Sequence, residues 1–157
     1  MTPWRPRPAV EADLPAVAAL DADCFGNPWS LDVYRQELLR PFARLWVIDL
    51  AGRLVGLSCT WVLGDEAHLL RIATHGAARR QGLGRIMLTD VLEHAAAAGC
   101  RRVLLEVAAG NEPAVRLYQA LDFEPIGRRP GYYTRPPDDA LVMRRSLDSP
   151  EVAAEPP

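Results

Sequence analysis

The segment Arg79-Arg80-Gln81-Gly82-Leu83-Gly84-Arg85 concentrates the residue types that hold phosphate. Glycine lets backbone approach a ligand closely, and the amides that open a helix carry unpaired N–H groups and the positive end of the helix dipole. Two readings fit: a pyrophosphate cradle, or a tight strand-to-helix turn with solvated arginines. A dinucleotide fingerprint would need a third glycine where Met87 stands, and a Walker-type loop would need a lysine. Further along, Glu106 interrupts the apolar run Leu104-Leu105-Glu106-Val107. Strand alternation puts it on the face opposite Leu105 and Val107. A carboxylate in such a strand is costly unless it is wet, paired or functional. It reads either as a general base or as an ordinary strand-end glutamate.

Asn111, two residues before Pro113, has the form of a helix N-cap. Tyr118 lies on the stripe Ala114, Leu117, Tyr118, Leu121, where a core role competes with a catalytic one. Trp29, after Pro28, is either a core anchor or a recognition aromatic. Tyr132 and Tyr133 are adjacent in a polar, Pro/Gly-rich stretch. Two neighbouring residues of an extended segment cannot both point inward, so at least one faces a cleft or solvent.

The elements that must position these residues follow from local pattern. Residues 4–7 read as a short edge strand interrupted by prolines. Asp13 offers an N-cap for a helix over 13–24, with Pro15 in its first turn. Ser30 caps a second helix over 31–39, and Pro41 stops it. Strands follow over 45–50, 54–63 and 67–74, joined by turns at Ala51-Gly52 and Gly64-Asp65, with Gly56 marking a bulge. A helix then runs to about Ala98, with Gly99 as its C-cap residue. Residues 101–107 read as a strand and 111–121 as a helix. Strands over 123–129 and 140–145 close the pattern around an irregular loop. The tail over 149–157 has little apolar content and reads as disordered.

Composition excludes several chemistries. All 18 basic residues are arginine, so Schiff-base and kinase mechanisms that need a lysine amine are ruled out. A net charge of −2 argues against a dedicated nucleic-acid binder. No apolar run is long enough to span a membrane, and the first residues lack the apolar core of a signal peptide. Cys24, Cys59 and Cys100 are odd in number and widely spaced, which suits buried thiols in a reducing cytoplasm. His68, His75 and His94 lack metal-ligand spacing, so no metal is expected.

Taken together, Arg79-x-x-Gly82-x-Gly84, the preceding Leu70-Arg71-Ile72-Ala73-Thr74 and the later Asn111…Leu117-Tyr118…Leu121-x-Phe123 resemble the GNAT superfamily of N-acetyltransferases. Pro28-Trp29-Ser30, Leu105-Glu106-Val107 and the Tyr132-Tyr133 pair are similar to the ribosomal-protein-alanine N-acetyltransferases (RimI type) within it. The resemblance implies an α/β (α+β) fold, with a mixed, mostly antiparallel sheet of about seven strands flanked by about four helices. It implies one acetyltransferase domain over residues 1–147, followed by the tail at 148–157. It implies acetyl-CoA as donor and the N-terminal α-amine of a protein as acceptor, most simply the alanine of a ribosomal protein.

In that scheme backbone groups of Ile72, Ala73 and Thr74 hold the acetyl and pantetheine arm. Arg80, Gln81, Gly82, Leu83, Gly84 and Arg85 hold the pyrophosphate, and Asn111 meets the cofactor further along. Glu106 accepts the proton and Tyr118 donates one, while Trp29, Tyr132 and Tyr133 face the acceptor. No metal, nucleic acid or membrane partner is implied, and the chain would act in the cytoplasm as a monomer or weak dimer. Alternative acceptors are other N-termini, lysines or a small amine; a non-catalytic acyl-CoA-binding module is a third possibility. Thr74-His75-Gly76 departs from the family's usual Val-Asp-Pro, Ala108 stands where an arginine is frequent, and Asp122 replaces the usual glycine before Phe123.

Overall fold

The computed structural model describes residues 5–76 and 82–147. In chain order come β1 (Arg7–Pro8), a 3-10 turn (Glu11–Asp13), α1 (Leu14–Cys24), α2 (Leu31–Leu39), β2 (Ala43–Leu50), β3 (Arg53–Leu63) and β4 (Glu66–Thr74). Then follow α3 (Leu83–Ala97), β5 (Arg102–Ala108), α4 (Glu112–Ala120), β6 (Glu124–Thr134) and β7 (Pro137–Ser146). The seven strands have the sheet order β1-β2-β3-β4-β5-β7-β6, and the pairs β1–β2, β2–β3, β5–β7 and β6–β7 are antiparallel. The expected class, a mixed sheet with four helices, is the class observed. The chain divides into two compact units, Met1–Trp61 with Leu69–Val91, and Val62–His68 with Leu92–Pro157.

In the first unit, Ser30 caps α2 as expected, its hydroxyl accepting the Val33 N–H at 3.1 Å. The start of α1 differs from expectation. Asp13 already has helical dihedrals (φ −78°, ψ −20°) and does not cap α1. Its carboxylate turns back to accept the Val10 N–H at 2.8 Å and to pair with Arg7 at 2.8 Å. The helix is entered one turn early, through the 3-10 turn, because Val10 presents the N–H that Asp13 satisfies. The Arg7 guanidinium holds the Asp13 carboxyl below its ordinary range. The edge strand is confined to Arg7–Pro8, pairing with Val47 and Trp46, and an edge is where a proline without an N–H is tolerated.

The Ala51-Gly52 turn has positive φ at both residues (53° and 80°), the type I′ geometry that joins two twisted strands. The register slips one residue before Gly56: Ile48 pairs with Gly56 and Asp49 with Leu54, leaving Val55 as the extra residue. A Cβ on Gly56 would lie 2.8 Å from Met87 Sδ, so glycine lets α3 pack closely there. Leu14, Val17, Leu20 and Tyr34 pack with Val47, Leu57, Cys59 and Ala73 in one cluster. Ile48, Val55, Leu83 and Met87 form a second. Each such large aliphatic side chain contributes about 1.5–3 kcal/mol by leaving water.

In the second unit, Gly99 (φ 88°) ends α3. The Cys100 N–H donates to the Ala95 carbonyl and the Gly99 N–H to that of Ala96, both at 3.0 Å, closing a Schellman turn. Strand β5 alternates as expected, with Val103, Leu105 and Val107 buried. The expected irregular loop is instead the continuation of a long hairpin, β6 running to Thr134 and β7 returning from Pro137. Pro130 and Gly131 do not break it, because β6 ends the sheet and its register slips there. Arg129 pairs with Ala140, and the next pair is Tyr133 with Asp138. Arg79, Arg80, Gln81 and the tail over 149–157 lie outside the described residues.

Candidate functional site

The first unit carries the residues expected to hold the donor. Ile72, Ala73 and Thr74 end β4. Ala73 is buried in the α1/α2 cluster and Ile72 packs against the Leu83/Met87 cluster. Their side chains thus anchor the strand, which leaves ligand contacts to backbone groups. Cys24 Sγ donates to the Thr74 carbonyl at 3.5 Å. Gly82 has φ 77° and precedes the first helical residue, Leu83. The Ile86 N–H reaches the Gly82 carbonyl at 3.1 Å, so the amides at 83–85 belong to the turn that lacks intrahelical acceptors. Leu83 is fully buried while Arg85 is exposed. One side chain fixes the helix start and the other extends into solvent, an arrangement that fits an anionic phosphate. The expected contacts Arg80 and Gln81 lie outside the described residues.

Trp29 is held by a polar cluster that sequence reasoning missed. Arg71, on β4, lies over the rings of Phe25 (4.1 Å) and Trp29 (4.7 Å). One of its nitrogens donates to the Asn27 carbonyl at 2.6 Å, and another lies 3.6 Å from the fully buried Asp21. Asp21 also accepts the Trp29 N–H at 2.9 Å and the Tyr34 hydroxyl. Burial, reinforced by the Asp21 carboxylate, pushes the Tyr34 phenol well above its usual range. The segment between α1 and α2 is therefore fixed to β4, and Trp29 is half-buried within that arrangement. No local spacing signals this, because the partners come from three separate elements.

The second unit carries the proton-transfer candidates. Glu106 lies on the half-exposed face of β5, opposite Leu105 and Val107, as alternation requires. Its Oε2 lies 2.9 Å from Arg129 Nε, a residue not singled out from sequence. Arg129 also lies over the Tyr132 ring at 5.5 Å. Tyr132 is 47% exposed, Tyr133 is half-buried, and their rings meet edge to face at 5.1 Å. Tyr118 is buried against Phe123, with centroids 5.7 Å apart. Burial first, and then the neighbouring Tyr133 phenol, push the Tyr118 hydroxyl well up, so it stays protonated across the neutral range. Glu106, Arg129, Tyr132 and Tyr133 thus form a connected series.

Asn111 caps α4, its side-chain oxygen accepting the Ala114 N–H at 3.3 Å. The loop before it is pinned by the Gly110 N–H donating to Asp138 at 2.8 Å and the Ala109 N–H donating to the Asp139 carbonyl at 2.9 Å. Asp122 has φ 67°, which explains why a glycine would be at home there. Among the described residues no cluster of His, Cys, Asp or Glu could hold a metal ion, and no helix is long and apolar enough to cross a membrane.

The profile of the acetyltransferase (GNAT) family matches residues 14–123, and the chain belongs to that family. It is an acetyl-CoA-dependent N-acetyltransferase. It is 31% identical over 133 residues to the [ribosomal protein bS18]-alanine N-acetyltransferase of Escherichia coli, covering 83% of this chain and 89% of that one. It is 31% identical over 145 residues to the N-alpha-acetyltransferase RimI of Mycobacterium tuberculosis, covering 88% and 90%. The crystal structure of the ribosomal-protein-S18-alanine N-acetyltransferase from Escherichia coli superposes with a TM-score of 0.85 at 28% identity, covering 92% of this chain and 94% of that one.

Proposed function

We propose that residues 1–147 form one acetyltransferase domain that acetylates the N-terminal α-amine of a protein, an alanine of a ribosomal protein, in the cytoplasm. The observation that carries the reading is Glu106, a carboxylate on the half-exposed face of β5, connected through Arg129 to Tyr132 and Tyr133. Relatives at 31% identity whose names carry this acceptor support it.

Acetyl-CoA supplies an activated thioester. An α-amine with a pKa of about 7.7–8.0 is largely an ammonium at neutral pH and cannot attack until it loses a proton. Glu106 takes that proton and returns it to solvent. The amine nitrogen then bonds to the acetyl carbon, and backbone N–H groups near Ile72 and Ala73 meet the developing oxyanion. The C–S bond breaks as Tyr118 donates to the departing sulfur, and the second nitrogen proton restores the phenol. The amides at 83–85, with Arg80, Gln81 and Arg85, hold the pyrophosphate. Asn111 contacts the same donor, and Trp29, Tyr132 and Tyr133 orient the acceptor.

The test is turnover with acetyl-CoA of a peptide beginning Ala-Arg, set against a polyamine and an N-terminally blocked lysine peptide. The Ala-Arg peptide is expected to be the substrate, and Glu106→Gln to lower its turnover by about 10²-fold. Turnover of the polyamine alone, or an unaffected Glu106→Gln enzyme, would overturn the acceptor and the base respectively.

A further inference from the structure

Arg129 lies against Glu106 without a well-directed bond to it. Its Nε is 2.9 Å from Oε2, yet that oxygen is buried and has no hydrogen bond of acceptable geometry. The contact is charge against charge. Strand register explains how it arises. Glu106 pairs with Val142 and Val142 with Gly127, while Ala108 pairs with Ala140 and Ala140 with Arg129. Directly paired residues share a face and alternate residues return to it, so Arg129 and Glu106 lie on one face in adjacent rows. The row from Arg129 to β5 holds only Ala140 and Ala108, so no large side chain on that row separates guanidinium from carboxylate. Arg128 faces the other way and pairs with Asp139 at 2.8 Å, and the other oxygen of Asp139 accepts the Gly131 N–H at 2.8 Å. The irregular stretch after Arg129 is fixed by those bonds.

An α-ammonium arriving at Glu106 brings a second cation to a carboxylate that already has one. Two cations at one carboxylate repel each other, so the ammonium binds more weakly while the guanidinium stays in place. Arg129 is 59% exposed, so water can take up the guanidinium once it is displaced, and the contact it gives up has no well-directed hydrogen bond to lose. We propose that Arg129 is a placeholder cation: it occupies Glu106 until the acceptor's ammonium displaces it, and so sets the acceptor concentration the enzyme requires. The inference rests on Glu106 being the residue that receives the ammonium proton.

The test uses the full chain, saturating acetyl-CoA and an Ala-Arg peptide. Arg129→Gln is expected to lower the acceptor KM by about two- to five-fold, the span of a weak ion pair, with kcat unchanged. Arg129→Lys keeps the charge and is expected to keep the wild-type KM. The acetylated product peptide carries no ammonium, so its inhibition constant should not move in either variant. A merely loosened hairpin would shift substrate and product together, and that result would overturn the proposal. So would an acceptor KM that rises or stays the same in Arg129→Gln. The base reading fails separately: full turnover in Glu106→Gln would remove it, and this inference with it, whatever Arg129 does to KM.

Discussion

Tyr118 is where burial and chemistry bear on the same atom. Packed against Phe123 and raised by burial, its phenol is a reliable donor at neutral pH but a reluctant acid. A thiol titrates at about 8.5, so complete transfer from such a phenol to a thiolate is uphill. Tyr118 therefore acts by donating a hydrogen bond as the C–S bond lengthens, and the transfer is completed by the proton that the nitrogen releases. Tyr118→Phe keeps the ring and its packing while removing the donor. It is expected to slow turnover by about ten- to a hundred-fold, at or below the lower end of a general acid's share, with acetyl-CoA binding retained in calorimetry. Unchanged turnover would return Tyr118 to a purely structural role, and so would loss of folding in this conservative variant.

Between residues and the whole chain, the segment joining α1 to α2 shows how an element is positioned by charge. Arg71 and Asp21 are 12% and 0% exposed, so removing one leaves the other buried without its counter-charge. Arg71→Met is expected to cost about 3–5 kcal/mol, the usual result of breaking a buried pair. Adding Asp21→Asn should restore part of that loss in urea denaturation; a double variant whose loss equals the sum of the two single losses would show that the pair is not coupled. The same contrast between local and distant causes explains what could be read from sequence. The Ser30 cap, the Ala51-Gly52 turn and the Gly99 helix end are each determined by a few neighbouring residues, and each is legible. The extent of the β6–β7 hairpin is not, because Pro130 and Gly131 read as breakers until the strand is known to be an edge with a register slip. In the candidate site, strand parity alone placed Glu106. Arg129 depends on register across β7, and Arg71 meets partners 42 to 50 residues earlier, at Trp29 and Asp21; neither leaves a local pattern.

Across the whole molecule, the lack of lysine gives the chain an unusually simple alkaline titration. All 18 basic side chains are arginine, and arginine keeps its charge throughout the range in which proteins are ordinarily studied. Loss of stability above neutral pH must then come chiefly from groups that the fold keeps protonated. Three are raised by burial: the Cys59 thiol, also near Glu37, and the phenols of Tyr34 and Tyr118. Each holds its proton more tightly in the folded chain, so the unfolded chain releases it first and gains stability as pH rises. The contribution is fully present below the ordinary values of 9.0 for the thiol and 10.0 for the phenols, and is lost above them. Each group that has begun to titrate removes about 1.4 kcal/mol of stability per pH unit. Urea midpoints are therefore expected to stay level from neutrality to about pH 8.5, then fall with a slope that steepens once the phenols ionise. Cys59→Ala should abolish the earlier part of the fall and leave the later part. Midpoints that remain level to about pH 11 would mean that these three groups titrate alike in the folded and unfolded chain.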